Sequence, residues 1–330
     1  MINLAINGFG RIGRHAFKVA WGNKKVQVVA INDLTDTKTL AHLLKYDTAY
    51  PDFAPKVDYD NENIIVGGRK IRVFSEKDPS LLPWGKMKIE VVIESTGRFT
   101  DEAGAGLHLK AGAKKVVISA PSKGENIKTF VRGLNDKEYK GEKIVDNASC
   151  TTNSVAPVML VLEREFGVEK AMLSTVHAYT ADQNLQDGPH KDLRRARAAG
   201  QNVVPTTTGA AKAVGKVIPS LVGKFDGASF RVPTITVSLT DLTVLLKRKT
   251  SKEELNEAMK KAAKTYLKDI LTVSETPLVS SDFIGNPFSA IVDAEFTYVV
   301  DGDLVKLVVW YDNEWGYANR LVELAVIVGR

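Results

Sequence analysis

Cys150 is the sole cysteine of 330 residues, and it sits in the run Ala148-Ser149-Cys150-Thr151-Thr152-Asn153. A structural cysteine is ordinarily wrapped in apolar neighbours; this one has hydroxyls and an amide around it. Downstream, Val155, Val158, Met159, Leu162 and Phe166 recur at helical spacing, so the thiol is expected on the first turn of a helix. There the positive end of the backbone dipole lowers a thiol pKa and populates the nucleophilic thiolate. A second pattern bears chemistry of another kind. Gly8, Gly10 and Gly13 have the spacing G-x-G-x-x-G between a short strand, Leu4-Ala5-Ile6, and a helix reaching about Trp21. Glycines there allow a tight turn and the approach of a pyrophosphate, while the helix N-terminus supplies N–H donors. The next strand, Val26 to Ile31, runs into Asn32-Asp33. Asp33 lies about 20 positions past the glycines, where an acidic side chain takes the adenosine ribose hydroxyls.

The elements that must position these groups fall into two kinds. In the N-terminal half, strands Ile89 to Glu94 and Val116 to Ala120 continue the alternation with helices, one of them over residues 101–111. Gly104 and Gly106 weaken that helix by roughly 1 kcal/mol each relative to Ala. Ser95, Thr96 and Ser119 lie at strand ends and are candidate cofactor-lining residues. Between the second strand and residue 89, a helix near 37–45 and a hairpin around Gly67-Gly68 are predicted, with loops elsewhere. After the Cys150 helix the pattern changes to longer alternating strands: Ala171 to Tyr179, Ala228 to Val232, Ile235 to Lys247 and Ser289 to Val300. Asp301-Gly302 turns the last into Leu304 to Trp310 as a hairpin. Ser251 and Glu254 form a capping box opening a helix to about Leu267, and a last helix covers about Tyr317 to Val328.

The expected fold is therefore an α/β Rossmann-type dinucleotide-binding domain plus an α+β catalytic domain with a mainly antiparallel sheet. The first should span 1–149, completed by the C-terminal helix at about 315–330, and the second 150–314. The change falls just before Cys150, which places the thiol in the cleft between the two.

Composition agrees with this frame. Apolar residues make up 44% and charged ones 25% of the chain, as in a soluble globular protein. No apolar run reaches the roughly 18 residues of a membrane span. The start, Met1-Ile2-Asn3-Leu4, already reads as strand and leaves no room for a signal peptide. One cysteine makes no internal disulfide, and together these features favour the cytoplasm. Net charge is only +6, but Lys191, Arg194, Arg195 and Arg197 crowd into seven residues. Without interleaved aromatics, that cluster fits a small anionic substrate or a subunit contact better than nucleic acid. No metal-binding pattern is read.

Five runs together resemble the phosphorylating glyceraldehyde-3-phosphate dehydrogenases. They are Asn7-Gly8-Phe9-Gly10-Arg11-Ile12-Gly13-Arg14, the Cys150 run, His190-Lys191-Asp192-Leu193-Arg194-Arg195-Ala196-Arg197, Thr206-Thr207-Thr208-Gly209-Ala210-Ala211-Lys212 and Trp310-Tyr311-Asp312-Asn313-Glu314. They occur in order along essentially the whole chain. The resemblance implies oxidation of glyceraldehyde 3-phosphate to 1,3-bisphosphoglycerate with NAD and inorganic phosphate, through a thiohemiacetal and a thioester on Cys150. It makes His177 the base that keeps Cys150 ionised. By itself His177 reads as an ordinary strand histidine; a nearby thiol is what would make it catalytic. The Cys150 N–H and His177 would hold the oxyanion. Thr180, Arg195 and Arg231 would serve the substrate's phosphate, and Ser149, Thr151, Thr208 and Gly209 the attacking phosphate. Arg194 and Arg197 remain alternatives to Arg195, and a buried Arg231 requires a ligand or carboxylate partner. The same resemblance assigns Arg11 and Ile12 to the pyrophosphate by their backbone, Asp33 to the ribose, Lys77 and Ser119 to the cofactor, and Asn313 to the nicotinamide amide. It also implies a homotetramer, with 178–203 near subunit contacts.

The chain departs from the family pattern at three places. Gly188-Pro189 stands where NAD-preferring relatives usually have Leu-Pro, which removes bulk that excludes a 2′-phosphate. Asp33 still repels that phosphate, so NAD is expected with some NADP use left open. Lys77 replaces a common Arg and loses planar stacking on adenine. Ser154 replaces a frequent second Cys. Erythrose-4-phosphate dehydrogenase is the alternative within the same chemistry, and RNA binding through the nucleotide cleft is read as a secondary activity only.

Overall fold

The computed structural model describes residues 1–51 and 53–330 and divides them into two compact units, 1–148 with 318–330, and 149–317. The fold class is the α/β-plus-α+β arrangement read from the sequence.

The first unit is built on β1 (Ile2–Asn7), α1 (Arg11–Trp21), β2 (Val26–Asn32) and α2 (Thr37–Lys45). It continues with β3 (Val57–Tyr59), β4 (Asn63–Val66), β5 (Arg69–Phe74), β6 (Val91–Glu94), α3 (Glu102–Lys110), β7 (Lys115–Ile118), β8 (Lys128–Thr129) and β9 (Ile144–Asp146). These strands form one sheet in the order β3-β4-β5-β2-β1-β6-β7-β9-β8. Strands β2, β1, β6, β7 and β9 are parallel neighbours, whereas β3-β4 and β4-β5 are antiparallel. Leu4 to Ile6, Val91 to Ile93 and Val116 to Ile118 are fully buried, as expected of central parallel strands covered on both faces. The chain leaves β1 toward β2 on one side and returns to β6 on the other. The carboxyl ends of β1 and β6 are thus the switch point where such sheets bind ligands. The hairpin at Gly67-Gly68 is present, with φ of +53° and +80°. The pairs β3-β4 and β8-β9 escape sequence reading because their strands are only two to four residues long.

The second unit begins with α4 (Cys150–Glu165), followed by β10 (Val168–Ala178), β11 (Val204–Thr207), α5 (Ala210–Val217), β12 (Phe225–Val232) and β13 (Ser238–Leu246). Then come α6 (Lys252–Lys264), β14 (Leu271–Ser274), β15 (Ala290–Val300), β16 (Leu304–Tyr311) and the start of α7 (Trp315–Val328). Its sheet has the order β11-β12-β10-β13-β16-β15-β14, antiparallel except for β10-β12 and β14-β15. Asp301 and Gly302 have φ of +48° and +82°, the two positive values that a tight type I′ hairpin requires. Ser251 does cap α6 by accepting from the Glu254 N–H at 3.2 Å. The reciprocal arm of the box is replaced: the Glu254 carboxylate accepts instead from Arg248 and Thr250, each at 2.8 Å. Helix α4 is buried beyond the expected stripe, with Thr151 to Met159 enclosed without a break. Among the described residues no helix is long and apolar enough to cross a membrane, and no acidic, histidine or cysteine cluster could hold a metal ion.

The glycine-rich turn gives a direct test of these packing constraints. A Cβ on Gly13 would lie 2.1 Å from the Gly8 carbonyl oxygen, whereas one on Gly10 would meet nothing within 4 Å. Gly13→Ala should therefore destabilise the protein by about 1–3 kcal/mol. Gly10→Ala should change stability by less than about 0.5 kcal/mol, with thermal or urea denaturation as the measurement.

Candidate active site

Ser149 is the N-cap of α4, in extended conformation, and its Oγ accepts from the Thr152 N–H at 3.1 Å. Cys150 is therefore the first helical residue, as its spacing predicted. Its Sγ lies 3.5 Å from His177 Nε2. His177 is at the end of β10, where Nδ1 lies 2.7 Å from the Ala178 carbonyl. Nδ1 has two neighbours, the Ala178 carbonyl, which only accepts, and Arg231 Nη1, which only donates; the carbonyl contact is the shorter, and with the proton on Nδ1 the Nε2 lone pair faces the thiol. That is the tautomer a base for Cys150 needs.

Parallel pairing of β10 with β12 sets His177 directly beside Arg231. Arg231 Nη1 lies 3.0 Å from His177 Nδ1 and donates to the Ala178 carbonyl at 3.2 Å. Burial and this guanidinium push the imidazole down to about 3, so His177 is uncharged at neutral pH. Burial likewise pushes the Cys150 thiol up, against the pull of Arg231. This corrects the expectation of a standing thiolate. Desolvation outweighs the helix terminus, and the guanidinium denies His177 the charge that would stabilise the sulfur anion. In the free protein the pair is a thiol facing a neutral base, in a residue that remains partly exposed.

Arg231 has no hydrogen-bonded carboxylate among the described residues, and its Nε is buried without a partner. Of the expected alternatives, a carboxylate is thus not the answer. Among the crowded cations, Arg195 is the one whose charge reaches both His177 and Arg231. It pairs with Asp182 and donates to Thr206 Oγ1 from Nε at 3.0 Å and Nη2 at 2.9 Å. Arg197 is exposed and pairs with Asp187; Arg194 is exposed as well. Thr180 follows β10, half-buried, with its N–H on Gln183. Thr208 and Gly209 open α5, where Thr208 Oγ1 accepts from the Ala210 N–H and the Gly209 α-carbon faces open space.

Three side chains that sequence reasoning did not single out complete this part. The Tyr311 hydroxyl lies 3.0 Å from Thr151 Oγ1 and 2.9 Å from Thr175 Oγ1, its phenol held protonated by burial. The Thr151 hydroxyl is thereby engaged inside the protein, and that of Ser149 is occupied in capping. Ser238, register partner of Tyr311, accepts from the Ala178 N–H at 3.1 Å and donates to Asn313 Oδ1 at 2.9 Å. This fixes which end of the Asn313 amide remains available as a donor. Period-two alternation along β16 would have placed Tyr311 on the inner face with Val309 and Leu307, but nothing local names its partners.

The first unit carries a separate cavity of about 470 Å³ at the carboxyl ends of its strands, lined by Gly8, Gly10, Asp33, Lys77, Ser95 and Thr96 among others. Gly10 caps α1 with no capping side chain, and the space where its Cβ would project is empty. Arg11 and Ile12 form the first turn, and the Arg11 side chain is held by Asp47 at 2.8 Å. Asp33 accepts from the Phe9 N–H at 2.7 Å and the Thr35 N–H at 3.0 Å, one on each carboxylate oxygen. Each oxygen keeps acceptor capacity for a ribose hydroxyl. These features fit a dinucleotide: an uncapped helix start for a pyrophosphate and a rigidly held carboxylate for a ribose. Ser119 follows β7 and is not among the residues lining this cavity.

Both halves have relatives. The profile described as "Glyceraldehyde 3-phosphate dehydrogenase, NAD binding domain" matches residues 2–102, and the one described as "Glyceraldehyde 3-phosphate dehydrogenase, C-terminal domain" matches residues 149–313. The glyceraldehyde-3-phosphate dehydrogenase of Geobacillus stearothermophilus is 51% identical over 329 residues, spanning 99% of this chain and 98% of that protein. Glyceraldehyde-3-phosphate dehydrogenase 1 of Bacillus cereus is 53% identical over 327 residues, 98% of each. The Mycobacterium avium protein of the same name is 52% identical over 337 residues, 100% of this chain and 99% of its own. With the glycine turn, the capped thiol and its imidazole all in place along that full length, the chain belongs to the glyceraldehyde-3-phosphate dehydrogenase family.

Proposed function

We propose that this protein oxidises glyceraldehyde 3-phosphate to 1,3-bisphosphoglycerate, with NAD and inorganic phosphate, through covalent intermediates on Cys150. The observation that carries this reading is the 3.5 Å approach of Cys150 Sγ to an unprotonated His177 Nε2. His177 takes the thiol proton as sulfur attacks the aldehyde carbon, giving a thiohemiacetal. The imidazolium N–H and the Cys150 backbone N–H then stabilise the oxygen of that adduct. NAD, when bound, supplies the hydride acceptor that converts the adduct to a thioester. Asp33 would hold its ribose, the turn from Gly8 to Ile12 its pyrophosphate, and Asn313, oriented by Ser238, the carboxamide; Lys77 lines the same cavity as Asp33, and Ser119, outside that lining, is assigned to the cofactor by the family resemblance alone. An oxygen of inorganic phosphate attacks the thioester carbonyl, the C–S bond breaks, and Cys150 leaves as thiolate with the acyl phosphate released.

Arg231, Arg195 and Thr180 hold the phosphate of the substrate, with Gly209, Thr208, Thr151 and Ser149 nearest the attacking phosphate. The buried unpartnered Nε supports Arg231 in this role, because an anion there satisfies a stranded donor. The same anion offsets the guanidinium charge that suppresses His177, so the base gains proton affinity as substrate arrives. The protein assembles as a homotetramer in this reading. Exposed apolar side chains support self-association: Met172 and Tyr298 on the sheet, and Leu185, Leu193 and Val203 in the 178–203 segment. Asp33 favours NAD over NADP by repelling a 2′-phosphate.

Cys150→Ser should reduce turnover to background in a phosphate-dependent assay with glyceraldehyde 3-phosphate and NAD; near-normal activity would refute the covalent route. His177→Asn should lower kcat by about 10²–10⁴-fold and slow iodoacetamide alkylation of Cys150. Arg231→Gln should cut kcat/KM for glyceraldehyde 3-phosphate at least about tenfold more than for unphosphorylated glyceraldehyde. Equal losses on the two aldehydes would remove Arg231 from the phosphate site.

A further inference from the structure

Glu94 ends β6 beneath the nucleotide cavity, and its side chain is completely buried. Among the described residues it has no lysine or arginine partner; its one charge-type neighbour is His108 Nε2 at 3.0 Å. All of its acceptor capacity is used by neutral donors. Oε2 receives Asn7 Nδ2 at 2.5 Å and faces the His108 nitrogen. Oε1 receives the Thr96 N–H at 2.8 Å and the Thr96 hydroxyl at 2.5 Å. The state of His108 follows from the residue behind it. Trp84 Nε1, which can only donate, lies 3.0 Å from His108 Nδ1, so Nδ1 is the acceptor and Nε2 carries the proton. His108 is thus a neutral N–H donor aimed at Glu94. The Asn7 amide, the Thr96 N–H and the His108 N–H can only donate, and with the Thr96 hydroxyl donating as well Glu94 accepts at every contact, as a carboxylate does.

The same network reaches each loop that shapes the cavity. Asn7 Oδ1 accepts from Asn32 Nδ2 at 2.7 Å, and Asn32 exchanges hydrogen bonds with the backbone of Glu76 at 2.8 and 2.9 Å. Thr96 is pressed against the glycine turn so closely that a Cβ on Gly8 would lie 2.8 Å from its nitrogen. One buried carboxylate therefore ties the turn after β1, the loop after β6 and, through Asn7 and Asn32, the loops holding Asp33 and Lys77.

We propose that Glu94 is the positioning residue of the nucleotide pocket, with His108, fixed in one tautomer by Trp84, holding it in place. The inference rests on the reading of this cavity as the NAD site. It assigns Glu94 no contact with the reacting atoms: it sets the spacing of the loops that grip the dinucleotide. Glu94→Gln keeps the shape but turns an N–H₂ toward other donors.

The test uses the full-length protein. NAD affinity is measured by calorimetry, alongside kcat, KM for NAD, and the rate of Cys150 alkylation without nucleotide, at a temperature where each variant is folded. Wild type is measured first; if it binds no NAD, the reading of the cavity fails, and the proposal with it. Glu94→Gln is expected to raise the NAD dissociation constant and KM about tenfold, with kcat within about twofold and alkylation unchanged. Should that variant not fold, His108→Phe and His108→Gln decide by the same readout. The first removes the donor and weakens NAD binding, while the second restores an N–H of similar reach and recovers it. Wild-type NAD affinity in folded Glu94→Gln, or equal affinities in the two His108 variants, would overturn the proposal.

Discussion

An imidazole that must stay uncharged next to a guanidinium is the constraint on which the catalytic half depends. His177 meets it through two contacts of opposite kind. The Ala178 carbonyl fixes the proton on Nδ1, and Arg231 at 3.0 Å makes a second proton on the ring expensive. What remains is a lone pair on Nε2 with one neighbour of consequence, the Cys150 sulfur. The lone pair is thereby available before any substrate is present, and burial favours the protonated form of the thiol it faces. A thiolate resting on a helix terminus would be more reactive and less selective. The sheet supplies this arrangement: pairing of β10 and β12 puts His177 opposite Arg231. A slip of one residue in that register would turn the guanidinium to the other face.

The two units solve the same problem of burying polar chemistry in different ways. In the second unit the buried hydroxyl of Tyr311 joins Thr151 to Thr175, and Ser238 joins the strand backbone to Asn313. Each group finds a partner on a neighbouring element, so the first turn of α4 and the end of β16 cannot shift independently. In the first unit a formal charge is buried with neutral donors on all sides. Burying such a charge unpaired costs several kcal/mol, and filling every lone pair is what makes it tolerable. Removing a single donor therefore matters more than the strength of one ordinary hydrogen bond would suggest.

What could be read from the sequence divides along the same line. The glycine turn, the hairpins at Gly67-Gly68 and Asp301-Gly302, and the placement of Cys150 on a first helical turn all follow from residues a few positions apart, and the position of Asp33 just past β2 follows from the strand that precedes it. The state of the thiol did not follow. The local pattern shows the helix terminus that lowers its pKa, whereas the burial and the neutral histidine that oppose it depend on a strand 27 residues away in sequence. Tyr311 and Ser238 were missed for a like reason: they are register partners across β13 and β16, and a lone tyrosine or serine in an alternating strand has no sign of its role. Glu94 and His108 lie on elements that were read correctly, yet their contact joins a strand end to a helix face. The family resemblance supplied the residues assigned to the two phosphates, but not the fact that the Ser149 and Thr151 hydroxyls already have partners within the protein.

The unsatisfied Nε of Arg231 is best understood together with the neutral histidine beside it. A buried donor without an acceptor costs about 1–3 kcal/mol, and a fold ordinarily removes such a cost by supplying a carboxylate. A carboxylate here would undo the arrangement. It would neutralise the guanidinium permanently, raise the proton affinity of His177 in the free protein, and occupy the position a substrate anion needs. Leaving the donor open keeps the base uncharged until an anion arrives. In the proposed mechanism an arriving phosphate would gain affinity from the stranded N–H and, by the same contact, relax the field that opposes proton transfer from sulfur to nitrogen. Binding of the non-reacting end of the substrate would in this way be spent on the chemical step.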